Sequence, residues 1–243
     1  MTACARGDPV TIDDRNLYDL RHFYIDEKRI GRFTCGIAFE AAMSILRTYD
    51  NAPFLDDSWY TAVSRSDNPV VQGFVAEQIC LDNIASNGLK AVHPNLGRMT
   101  TARFEAEPAF TEFLSTDHTI RLYIPDAYNF IAVDGVILLL NRTSKQATMF
   151  PIQFTLSQNH KQSDKEFHTR LWSTWIKPIT LAGFSVQSTL VWIDKKQPSE
   201  DVKPKLVKSL RSGTKAVHPE YSVVHVGVEM VDSRLASALG ITQ

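Results

Sequence analysis

The stretch from Phe130 to His160, FIAVDGVILLLNRTSKQATMFPIQFTLSQNH, constrains this chain more than any other. Two apolar, β-branched runs, Ile131 to Leu140 and Ala147 to Leu156, flank the polar break Asn141 to Gln146. That pattern predicts a hairpin of buried strands. Each run nevertheless carries polar side chains. Asp134 interrupts the first, and Gln153 and Thr155, one strand period apart, share a face of the second. A buried carboxylate costs several kcal/mol unless it is paired or holds a metal, and a buried amide costs roughly 1–3 kcal/mol unless hydrogen-bonded. The hairpin therefore has either a satisfied polar spot in its core or a site. An Asp on one strand and a polar-x-polar pair on the next is a spacing that a metal-dependent phosphodiesterase uses. Such a metal takes hard oxygen ligands from adjacent strands and keeps positions open for water and phosphate. On these residues alone the plainer alternative stays open: a satisfied Asp at a strand bend before Gly135, beside an exposed Gln-x-Thr.

At 243 residues, 44% of them hydrophobic, the chain is long enough to bury a real core in one large domain, with or without an N-terminal extension. Lys and Arg number 26 against 27 Asp and Glu, so any attraction for a polyanion has to come from a local patch. Cys4, Cys35 and Cys80 are odd in number and form no zinc-type pattern, which favours reduced thiols and a cytosolic or nuclear working place over an oxidising one, with the nucleus as the expected location. The opening MTACARGDPVTIDD has no basic segment followed by an apolar one, and no run reaches the length of a membrane span, so no membrane association is expected.

Residues 1 to 34 read as an irregular or short-stranded lead-in, followed by a helix over Gly36 to Tyr49 and a short helix over Leu55 to Val63. Cys35, at the start of the first of these helices, makes a cysteine hydrolase conceivable, although a small buried thiol is the commoner use. Pro69 opens a largely apolar helix that stops at Asn87-Gly88 and carries Glu77. Glu77 is either a solvent-facing residue or a carboxylate delivered to the strands. Lys90 to Ser115 reads as a mixed loop containing Arg98 and Arg103, and Thr119 to Ile124 as a strand leading into the hairpin. After the hairpin, Ser163 to Trp175 reads as a helix ended by Pro178. Phe184 to Ile193 and Ser222 to Val228 read as strands, and Asp232 to Leu239 as a closing helix. Between the last two strands lie Lys195, Lys196, Lys203, Lys205, Lys208, Arg211 and Lys215, against only Glu200 and Asp201. This basic segment is expected to be a solvated loop or a flexible phosphate-contacting arm.

The order is thus αβββαβ, and the expected fold is α/β with a central mixed sheet flanked by helices. The division expected is a helical extension, residues 1–68, packed on a core of residues 69–243. This succession is that of the PD-(D/E)xK nuclease core, the restriction-endonuclease-like fold. Three segments, Gln72 to Glu77, Asn129 to Val136 and Ile152 to His160, resemble the C-terminal domains of Crinkler and retrotransposon-hot-spot proteins. Those are eukaryotic effector-type proteins whose toxin domain is assigned to the same nucleases. The resemblance extends over Pro69 to Ile193.

The resemblance implies a metal site made of Glu77, Asp134 and Gln153, binding Mg²⁺ or Mn²⁺, with Thr155 at the position of the catalytic lysine. Gln is a weaker ligand than Glu, and threonine supplies no cation, so Lys161, His160 or Lys165 is expected to provide one. The implied activity is hydrolysis of a nucleic-acid backbone, expected to be DNA, which the basic segment and Arg98 or Arg103 would position without reading sequence. The alternative is a weak or inactive nuclease-fold module that binds a protein or a nucleic acid.

Overall fold

The computed structural model describes residues 23–25, 27, 31–33, 41, 54–66, 69–127, 130–156, 163–195, 202–212 and 215–241. The expected helix over Gly36 to Tyr49, together with Cys35, lies outside these residues except for Ala41, which is helical. The chain divides into two compact units, residues 1–82 with 234–243, and residues 83–233. The division falls inside the helix that begins at Pro69.

In the first unit, β1 (Phe23–Ile25) and β2 (Gly31–Phe33) pair antiparallel. Helix α1 (Asp57–Arg65) is capped by Asp56, whose side chain accepts from the Ser58 N–H at 2.6 Å. Such a cap satisfies a donor that the helix start leaves unpaired and contributes about 1 kcal/mol. Arg234 pairs with Asp57 and lies 4.1 Å from the Tyr60 ring centroid, which ties the start of α1 to the end of the chain. Helix α2 (Pro69–Asn87) is apolar nearly all round, and its last turn, from Asn83, belongs to the second unit.

A seven-stranded mixed sheet forms the second unit, in the order β3-β4-β5-β6-β7-β11-β8. Its strands are β3 (Thr100–Phe104), β4 (Ile120–Pro125), β5 (Gly135–Asn141), β6 (Gln146–Thr155), β7 (Ser185–Asp194), β8 (Lys205–Val207) and β11 (Tyr221–Gly227). β4, β5 and β6 form an antiparallel meander, and β7 returns parallel to β6. With α2 before the meander and helices between β6 and β7, the expected αβββαβ succession is present in an α/β fold.

Four expectations need correction. The first hairpin strand starts at Gly135 rather than Ile131, because Ala132 takes a left-handed φ of 69° and turns the chain. Asp134 therefore precedes the strand, although its N–H still bonds the Ile152 carbonyl at 2.8 Å. The segment read as a mixed loop contains β3 and the short helix α3 (Phe110–Leu114), whose Phe110 and Phe113 are buried against Tyr123. These elements are too short to show a period in sequence. Pro178 lies within α5 (Trp172–Leu181) and does not end it. So near the helix end it removes a single interior bond, and its own carbonyl still accepts from the Ala182 N–H. The basic segment carries β8 on the sheet edge and a separate hairpin of β9 (Leu210–Ser212) and β10 (Lys215–His218).

Helix α4 (Ser163–Glu166), a π-helical turn at Phe167–Leu171 and α5 cover one face of the sheet. The widened turn lets two successive side chains face inward. Phe167 enters the main core, while His168 reaches Ser188 Oγ on β7 at 2.9 Å through Nε2. Trp175 anchors that core among Phe104, Phe110, Phe130 and Phe167, with ring centroids 5.4 to 6.2 Å away. Emptying such a site costs about 3–5 kcal/mol. No helix among the described residues is long and apolar enough to cross a membrane.

Candidate functional site

Polar side chains gather where β6 and β7 end. Antiparallel pairing of Gly135 with Ile152 sets Asp134 beside Gln153. Asp134 Oδ2 accepts from Gln153 Nε2 at 2.7 Å and from the Phe154 backbone N–H at 2.6 Å. Asp134 is partly buried. Desolvation, opposed by the Phe154 N–H, pushes its carboxyl up to about 7. The two donors thus hold one oxygen without fully compensating the charge. Left-handed Ala132, two residues earlier, fixes the chain's entry into this corner at a backbone cost of about 1–3 kcal/mol.

Thr155 is buried on the same strand face as Gln153 and stands in register with Asp194 on the parallel neighbour β7. Asp194 Oδ2 in turn meets His225 Nδ1 on β11 at 3.2 Å. Asp194 and His225 are hard to single out in sequence because each is a lone polar residue at or near the end of an apolar run. Only the register of three parallel strands brings them together.

Glu77 lies in the first unit, half-buried on α2, and accepts from Gln78 Nε2 at 2.6 Å. His160, Lys161 and Lys196 lie outside the described residues. Lys165 is exposed on α4. Of the basic segment, Lys195 follows β7, Lys203 precedes β8, Lys205 opens β8 and Lys208 follows it, and all four are exposed. Arg211 and Lys215 belong to the backbone of the β9–β10 hairpin. Arg98 is exposed, and Arg103 pairs with Asp126 at 3.7 Å.

Among the described residues, no three His, Cys, Asp or Glu side chains come together as a metal-holding group. The corner nonetheless offers hard oxygens to a cation. Asp134 Oδ1 and Gln153 Oε1 make no hydrogen bond to a described residue, and no described cation neutralises the buried carboxylate. These groups fit a Mg²⁺-type ion that keeps several of its own waters.

The chain matches no family model, no curated protein and no solved structure.

Proposed function

We propose that this chain is a metal-dependent nuclease that hydrolyses phosphodiester bonds in a polynucleotide, DNA foremost. We assign it to the effector or toxin type implied by its Crinkler-like segments and place its action in the nucleus. The observation carrying this reading is the Asp134–Gln153 pair at a strand end, a buried carboxylate raised to about 7 with one oxygen uncommitted. Asp134 and Gln153 would hold Mg²⁺ or Mn²⁺. An ion held there would supply a more acidic water and positive charge beside the phosphate. Phe154 N–H and Gln153 Nε2 keep Asp134 Oδ2 aimed and leave Oδ1 for binding. Thr155 contributes no cation, so the charge of the transition state falls to Lys161, His160 or Lys165.

A second reading is a nuclease-fold module that binds nucleic acid or a protein without cutting. One feature favours it: both donors to Asp134 Oδ2 come from the protein itself, as in a self-satisfied structural carboxylate. Plasmid nicking separates the two. Purified protein is expected to convert supercoiled DNA to open circles with Mg²⁺ or Mn²⁺ and not with EDTA. Absence of nicking with either ion, under conditions where the protein retains DNA, would leave the binding module.

A further inference from the structure

The registers of the sheet build a line of side chains across its carboxyl edge. Gln153 is level with Trp192, and Trp192 with His225. Residues level on neighbouring strands project from one face. Asp134 joins this face through Gln153, and Asp194 through His225. On the far side, β8 runs antiparallel to β11 with Lys205 opposite Val223, two residues from His225 and therefore on the same face. The line runs Asp134, Gln153, Trp192, His225, Lys205, entirely within the second unit.

His225 brings to this line a group that a polyanion recognises. Its side chain is 57% exposed, and Nε2 has no partner among the described residues. The Asp194 carboxylate only accepts, so Nδ1 carries a hydrogen, and when Nε2 is protonated as well it faces solvent as an anion donor. Trp192 lies parallel to the imidazole, within 10° and at 6.3 Å between centroids, and limits its rotation. Lys205, exposed on the edge strand β8, adds positive charge beside it.

Neighbouring strands are about 4.8 Å apart, so three steps put His225 about 14 Å from Asp134, and four put Lys205 about 19 Å away. One phosphate cannot touch both ends. At a rise of about 3.4 Å per nucleotide, the line covers roughly five nucleotides of one strand.

We propose that this line is a track for a single polynucleotide strand, with His225 and Lys205 gripping phosphates several nucleotides from the one at Asp134. The substrate class follows: an oligonucleotide or longer strand, not a mononucleotide or a small diester. The track takes its starting point from the nuclease reading, but the grip does not require cleavage.

The test is fluorescence anisotropy of the full chain in EDTA with labelled oligothymidylates, from dinucleotide to octanucleotide. Affinity is expected to rise roughly tenfold from dinucleotide to hexanucleotide and then level off. His225→Ala and Lys205→Ala each weaken the hexanucleotide several-fold and flatten the log–log salt dependence by about 0.7 for each phosphate no longer held. His225→Arg retains most of the affinity. Length-dependent binding in a protein that cuts nothing would refute the nuclease reading and uphold the track. The track is overturned by absent binding, by equal affinity at all lengths, or by unchanged hexanucleotide affinity and salt slope in the folded His225→Ala/Lys205→Ala double variant.

Discussion

Replacing Asp134 by Asn keeps the shape of the corner and removes its titration. The amide oxygen still accepts from Gln153 and Phe154, while the buried charge disappears. Burial moves the wild-type carboxyl from its ordinary 3.8 up to about 7. The folded chain therefore holds this proton to higher pH than the unfolded chain. Between those two values the unfolded state has lost the proton and the folded state has not, so stability falls as pH rises from 3.8 to about 7 and is constant above. At about 1.4 kcal/mol per tenfold change in proton affinity, the fall is at most about 4 kcal/mol, and partial solvent access brings it to about 2 kcal/mol. Urea unfolding in EDTA, followed by tryptophan fluorescence, measures it. Relative to wild type, Asp134→Asn should gain about 1 kcal/mol between about pH 5 and about pH 8. Parallel stability profiles for the two proteins would refute the argument that Asp134 is a desolvated, uncompensated carboxyl.

Two further substitutions test the frame around the site. At Gly88, where φ is +84°, an added Cβ would lie 2.2 Å from the Leu96 carbonyl oxygen, so Gly88→Ala should lower stability by more than about 2 kcal/mol in a thermal melt. The Tyr221 hydroxyl donates to Asp164 Oδ2 at 2.8 Å while its ring stacks on His168 at 3.6 Å, so Tyr221→Phe keeps the stacking and should cost about 1 kcal/mol in urea unfolding.

The strands of the meander and β7 were legible because they are long, apolar and β-branched. Pro151 shows how far that reading reaches. A proline inside a central strand argues against a strand, yet Pro151 occupies one, at the place where the β6–β7 register breaks off after Met149 and resumes at Ile152. The pairing of Asp134 with Gln153 was foreseeable from polar residues inside apolar runs, whereas the Asp194–His225 pair depends on strand register, which local sequence does not encode. The β8 strand was hidden for another reason. Its three residues, Lys205, Leu206 and Val207, gain their order from pairing with β11 rather than from any periodicity of their own.

In the proposed site Asp134 and Gln153 together hold a divalent cation. Electron paramagnetic resonance of Mn²⁺ titrated into the protein at about pH 8, where Asp134 is mostly ionised, tests this without any substrate. A bound-ion signal that disappears in Asp134→Asn and weakens in Gln153→Ala is the predicted result; no bound Mn²⁺, or binding that both variants leave intact, would contradict it.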